Sequence, residues 1–444
     1  MKIKLSDHFT YGKLLRFTLP SIVMMIFTSI YGVVDGFFVS NFAGETPFAA
    51  INLIMPFLMI FGAVGFMVGA GGSALVSMTL GQGDREKAQR IFSLLVALLA
   101  VVGAVFTVLG LVFLEPVARL LGATAEMLPH CVAYGRIIML ALVPFMLQNV
   151  FQSFLVTAER PHFGLVITVA AGVTNMVLDA VFLGVFRWGV VGAAAATGLS
   201  QCVGGLIPLL FFLSSRNRSL LRLVRPVWNG AAVWKTCTNG ASEFMTNISF
   251  SVVNMLYNFQ LMRLVGEAGV AAFGVVMYIS FIFVGVFLGF SFGSAPIVGF
   301  HYGAENTDEL KSLLRRSFVI IGTFAVILTA AAELLAHPLA LIFVSYNEEL
   351  LALTRRSFML YSISYLPAGF NIYGSSFFTA LNNGRISALI SFGRTLVFQV
   401  LSVFLLPALL GVDGVWLANV MAETLALLLT LSCLAANRNY YRYY

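Results

Sequence analysis

Two aspartates stand in apolar surroundings where a bare charge is costly. Asp35 lies in the apolar run 14–40, five residues before its end, and Asp179 lies in the run 162–186, seven residues before its end. At a helical rise of 1.5 Å per residue, both sit roughly 8–10 Å inside the same boundary. Two carboxylates in a poorly hydrated bundle repel one another, and one keeps a proton unless a cation sits between them. Asn175, one helical turn before Asp179 and on the same face, can add an amide oxygen. This set suits reversible binding of H⁺ or Na⁺, with Asp35, Asn175 and Asp179 as the oxygen ligands. The plainer alternatives are a helix-end carboxylate wetted by the interface for Asp35 and a helix-packing amide for Asn175.

The other polar groups in apolar runs read less sharply. Glu243 lies about ten residues into the run 233–262, where an ionisable group invites a functional reading, the plainer one being a carboxylate that lines a wet inner mouth. Glu423 and Arg394 are each buried by sequence, and a structural pairing between them is the simplest resolution. Gln148 and Gln152, one turn apart, either line a cleft or hydrogen-bond between helices. Seventeen Met and fourteen Tyr offer soft and aromatic surfaces for organic cations. The cysteines are scattered, with neither a disulfide framework nor metal-ligand spacing.

The elements that carry these residues follow from composition. The chain has 444 residues, 59% hydrophobic and only 10% charged. Soluble domains carry about 25% charged residues, so a water-facing surface cannot be covered. A soluble enzyme, a nucleic-acid binder and a disordered scaffold are all excluded on this ground. A membrane-spanning helix needs about 20 apolar residues, and twelve such runs occur: 14–40, 48–80, 90–114, 131–158, 162–186, 190–213, 233–262, 268–300, 312–335, 351–380, 385–409 and 413–435. The alternation of a β-barrel is absent. Pro20, Pro56, Pro144, Pro296 and Pro367 fall inside runs, and a kink or hinge is expected near each. Pro20 would let the first helix bend when Asp35 is protonated. The net charge of +7 is explained by loops: segments on the side of the N-terminus hold nineteen Lys and Arg against five opposite (Arg119, Arg187, Arg263, Arg355 and Arg356). That bias places both termini in the cytoplasm.

The chain is internally repeated at an offset of 222, half its length. Gly44-Glu45 falls on Gly266-Glu267, Gly71 on Gly293, Gly81 on Gly303, Pro116 on Pro338, Thr157-Ala158 on Thr379-Ala380, and Gly192 on Gly414. The expected architecture is an all-α membrane protein of twelve transmembrane helices in two six-helix bundles, related by a pseudo-two-fold along the membrane normal. Its parts are a cytoplasmic N-terminus (1–13), a first lobe (14–213), a basic cytoplasmic loop (214–232), a second lobe (233–435) and a cytoplasmic tail (436–444). Two lobes facing one another suit alternating access. At the same offset Asp35 meets Tyr257, Asn175 meets Val397 and Asp179 meets Leu401, so the acid pair belongs to the first half alone.

Several segments resemble a known family: Val34-Asp35-Gly36-Phe37-Phe38-Val39, Ala49-Ala50-Ile51-Asn52-Leu53-Ile54-Met55-Pro56, Leu80-Gly81-Gln82-Gly83-Asp84, Asn175-Met176-Val177-Leu178-Asp179 and Gly411-Val412-Asp413-Gly414-Val415-Trp416. In order, spacing and duplication the chain is similar to the multidrug and toxic-compound extrusion (MATE) transporters. That resemblance implies a secondary antiporter rather than an enzyme, driven by H⁺ or Na⁺ with no cofactor, exporting small amphipathic organic cations from the cell through the plasma membrane, and working as a monomer. It also places a cation site of the first half on Asp35, Asn175 and Asp179, with further polar neighbours at Tyr134, Asn149 and Thr197. Glu243 falls on a position linked to coupling or substrate. An acid that some relatives carry in span ten is missing here. Two alternatives share the topology. A lipid-linked saccharide flippase would want several basic residues in its cleft, and few lie inside these spans. A major-facilitator carrier would want more basic residues after Gly81-Gln82-Gly83-Asp84-Arg85, where Glu86-Lys87-Ala88-Gln89 stands. A receptor or scaffold has no need of duplicated halves and buried acids.

Overall fold

The computed structural model describes residues 3–345 and 347–443; Met1, Lys2, Tyr346 and Tyr444, at the ends and in one loop of the expected parts, lie outside the described residues, as does the side chain of Glu45. Among the described residues every regular element is a helix. The first half contains α1 (Tyr11–Phe42), α2 (Glu45–Gly81), α3 (Arg85–Leu120), α4 (Met127–Leu140), α5 (Leu142–Thr157), α6 (Pro161–Asp179) and α7 (Gly189–Leu213). The second contains α8 (Gly230–Leu264), α9 (Glu267–Gly303), α10 (Thr307–Val344), α11 (Glu348–Ser362), α12 (Tyr365–Ala380), α13 (Gly384–Phe392), α14 (Phe398–Leu410) and α15 (Val412–Tyr441). Side chains close the helix starts: Thr10 accepts from the amide of Lys13, Asp84 from Lys87 and Asn306 from Glu309.

Among the described residues nine helical spans are long and apolar enough to cross a membrane, α6 counting with the π-helical stretch that follows it and α13 with α14 as one span, and α4 with α5, bent by 53° at Ala141, makes a tenth. The remaining expected runs are α8, which carries many polar residues, and the pair α11 and α12. Both broken runs have their proline three residues past the break: Pro144 follows Ala141, and Pro367 follows Ser364. Proline removes the amide and crowds the preceding carbonyl, which ends one helix and starts the next. Helices continue without a break through Pro20, Pro56 and Pro296. Two short π-helical stretches were not anticipated, Ala180–Val185 directly after α6 and Gly393–Val397 between α13 and α14.

Buried apolar side chains form two clusters. One runs from Val39 to Ala232; the other lies mainly in the second half and takes in Leu5, Phe9, Leu14, Phe17 and Ile22 from the N-terminus. The halves meet where α1 packs on α9 and α2 on α8. Glycines make this possible. Gly81 approaches the carbonyl of Phe300 while Gly303 approaches that of Met78, and Gly71 and Gly240 bring α2 and α8 together in the same way. The first two contacts are reciprocal under the offset of 222. Any side chain there would push the backbones apart, the small-residue logic of helices packed in lipid.

The end of the molecule that holds the termini is further tied across the halves. After α5 and after α12 the chain turns through left-handed residues, Glu159 and Asn382, each with φ of 57°. Glu159 Oε1 accepts the amide of Leu5 at 2.8 Å, and Asn382 Nδ2 donates to the carbonyl of Ala74 at 3.1 Å. Glu309 accepts the amide of Phe9 at 2.8 Å, and Arg316 donates to the Phe9 carbonyl. The connection between the halves lies on α3, where Arg85 Nη2 reaches the carbonyl of Ser219 at 2.8 Å and Ser93 Oγ accepts the amide of Val224 at 2.8 Å.

Candidate functional site

The packing of α1 on α6 sets the acid cluster. Gly172 of α6 lies under the rings of Phe27 and Tyr31 of α1; a Cβ there would come within 2.5 Å and 2.8 Å of them. With α1 seated so closely, the Asp35 carboxyl meets the Asp179 carboxyl and the Asn175 side-chain amide. Asp179 is the last residue of α6, at the point where the backbone widens into the π-helical stretch, a distortion that recurs at functional sites. Asp179 and Asn175 are buried, and Asp35 is half-buried with Oδ1 shielded.

Four of the five oxygens of this cluster are left without donors. Asp35 Oδ1, both carboxylate oxygens of Asp179 and Asn175 Oδ1 are all buried without a hydrogen-bond donor among the described residues. A buried acceptor left unpaired costs about 1–3 kcal/mol, and more when charged. Hard monovalent cations take oxygen ligands, and a proton shared between carboxylates serves the same purpose. The donor set therefore fits H⁺ or Na⁺.

The other expected residues divide. Tyr134 is buried within electrostatic reach of both carboxyls. Asn149 is buried and Thr197 half-buried, and neither hydrogen-bonds to the two acids among the described residues. Gln148 packs its side chain against Gly204 of α7, and Gln152 Nε2 donates to Thr168 Oγ1 of α6 at 3.3 Å; both serve contacts between helices. Glu243 lies far along the sequence on α8, half-buried, within electrostatic reach of Arg394. Tyr31, also beside Asp35, was not anticipated. The signal was present: it precedes Asp35 by four residues, one turn on the same face.

Comparison with known proteins bears directly on this arrangement. The family model MatE matches twice, over residues 20–181 and again over 244–405. The chain belongs to the MatE family. The double match follows the internal repeat, and it sets aside the major-facilitator alternative. The chain is similar over 97% of its length to the multidrug export protein MepA of Staphylococcus haemolyticus, 23% identical and covering 94% of that protein. It is 22% identical to MepA of Staphylococcus aureus strain MRSA252, over 94% of this chain and 92% of that one. Among solved structures, a MATE protein crystallised in complex with MaL6 superposes with a TM-score of 0.93 at 22% identity, covering 98% of both chains. An outward-facing multidrug resistance MATE transporter of the MOP superfamily superposes at 0.92, also at 22% identity, covering 98% of this chain and 97% of that one. This chain, then, is a MATE-family transporter and not an enzyme, a multi-pass membrane protein with the all-helical fold of that family.

In this MATE chain the second half builds a different polar centre. Arg394, second residue of the other π-helical stretch, donates from Nε to Glu423 Oε1 at 2.8 Å and Oε2 at 2.9 Å. Asn371 Nδ2 adds bonds of 2.8 Å to Glu423 Oε2 and to its carbonyl, and Thr430 Oγ1 donates to Asn371 Oδ1 at 3.1 Å. Nearby, Tyr257 donates to Gln399 Oε1 at 3.0 Å, Gln399 Nε2 to Asn419 Oδ1 at 2.6 Å, and Asn419 Nδ2 to Ser364 Oγ at 2.8 Å. Arg394, Glu423, Tyr257, Gln399, Asn419 and Ser364 line a cavity of about 210 Å³ with Phe250, Phe273, Phe281, Tyr361 and Tyr365. The Arg394–Glu423 pairing was anticipated from sequence; the amide relay around it was not.

Proposed function

We propose that this transporter is a cation-coupled antiporter that exports amphipathic organic compounds, many of them cationic, by alternating access. Asp35 and Asp179, helped by Asn175 and with Tyr134 alongside, bind H⁺ or Na⁺ as the driving ion. The single observation that carries the reading is the donor-free cluster of four buried acceptor oxygens. With an ion or proton in place the two carboxyls hold α1 against α6; without it their mutual repulsion favours another packing of α1. The first helix, with Pro20 near its start, is the element that responds, and the glycine contacts at the terminal end are the gate that opens. Asn149 and Thr197 are assigned a supporting role in this site, and Glu243 a role in coupling or substrate binding.

The same reading takes twelve spans in two six-helix bundles, a pseudo-two-fold along the membrane normal, a monomer in the plasma membrane and cytoplasmic termini. Support comes from the repeat at offset 222, the reciprocal contacts of Gly81 and Gly303, and the distribution of Lys and Arg. The export of drugs is supported by the names of the MepA relatives. A flippase for lipid-linked saccharides is disfavoured because the second-half cavity is lined by one basic residue, Arg394. The test is efflux of a cationic dye from proteoliposomes under separate pH and Na⁺ gradients. The wild type exports under at least one gradient. Normal pumping by both Asp35→Asn and Asp179→Asn would sink the assignment.

A further inference from the structure

Arg394 has more donors than its salt bridge uses. Only Nε contacts Glu423. The two terminal nitrogens have no acceptor among the described residues and are not shielded, and the residue lines the second-half cavity. Glu423, by contrast, is 5% exposed at its side chain and already holds Arg394 and Asn371. A planar guanidinium with free outward nitrogens matches a carboxylate in a bidentate fork. Around it stand the rings of Phe250, Tyr257, Phe281, Tyr361 and Tyr365, which favour a flat aromatic body. Asn254 Oδ1 lines the same cavity, buried and without a donor, ready to accept an N–H.

We propose that this cavity is a second binding subsite, one that takes the carboxylate end of an aromatic acid or zwitterion on the free edge of Arg394. The proposal deepens the transport reading and rests on it for the consequence that such molecules are cargo; binding itself needs no transport. It also divides the labour between halves. Acceptor oxygens in the first half attract cations, and the exposed donors of Arg394 in the second attract an anionic group.

The test is equilibrium dialysis of the detergent-solubilised full chain with 2-naphthoate and with its methyl ester. The wild type is expected to bind the acid about ten-fold more tightly than the ester, the scale of one charge-assisted bond. The double variant Arg394→Gln/Glu423→Gln, which removes both charges and so strands neither, loses that preference. Equal binding of acid and ester by the wild type overturns the proposal, and this arm needs no variant to fold. A preference that survives in the double variant overturns it as well. Gradient-driven export of a cationic dye by the wild type is measured separately, so a failure of the transport reading is told apart from a failure of this subsite.

Discussion

The two halves solve one physical problem in opposite ways. Each places polar groups deep among its helices. The first leaves four acceptor oxygens without donors at Asp35, Asn175 and Asp179; the second gives Glu423 an arginine and an amide. Positions related by the repeat show how the difference arose. Gly172 stands where the second half has Arg394, and Gln201 where it has Glu423. Asn149 and Asn371 are equivalent, yet Asn371 serves Glu423 while Asn149 Nδ2 and Gln201 Oε1 are left unpaired. One half thus carries its cation as a side chain, and the other leaves its acceptor oxygens without one. A built-in cation cannot be exchanged, so the ion exchange proposed above falls to the first half.

The largest expected effect is on transport. Asp179→Asn, and separately Asp35→Asn, should bring gradient-driven dye export down to the leak of empty liposomes, whereas Tyr257→Phe and Asn419→Ala retain ion coupling. Loss of coupling in the second-half variants and not the first would break the comparison. Next comes stability. Arg394→Met leaves Glu423 buried without its partner and should cost about 3–5 kcal/mol, while Arg394→Met with Glu423→Met recovers most of it; thermal unfolding in detergent reads both. The first half should behave in the reverse sense. Asp179→Asn removes a charge that has no donor and should stabilise by about 1–3 kcal/mol. Raising Na⁺ at fixed pH, or acidity at fixed Na⁺, should stabilise the wild type by up to about 2.7 kcal/mol at a hundred times the dissociation constant. That gain should vanish in Asp35→Asn/Asp179→Asn, and its persistence there would move the ion elsewhere. The smallest effect is Tyr257→Phe, which removes one hydrogen bond to Gln399 and should cost about 0.5–1.5 kcal/mol by the same unfolding assay.

Much of this was legible along the chain because the bilayer imposes a one-dimensional rule. A span must be apolar over a set length, so its presence is written locally. The run 14–40 became Tyr11–Phe42, and 190–213 became Gly189–Leu213. Equal depth for Asp35 and Asp179 needed only the helical rise. Depth along a helix says nothing of the face that a side chain takes toward a particular neighbour. Gln148 and Gln152, one turn apart, suited either a cleft or a contact between helices, and packing set them against Gly204 and Thr168.

Composition and periodicity by themselves determined that the chain lives in a membrane, repeats itself, and buries an acid pair in one half only. Tertiary structure alone decided that Gly172 lets α1 close on α6, that π-helical stretches begin just after Asp179 and enclose Arg394, and that Asn371 turns to Glu423. The reason is range. Apolar length and helical rise act within a segment, whereas hydrogen-bond partners are chosen among side chains 29 and 52 positions apart, by shape and by the cost of leaving any one of them unpaired.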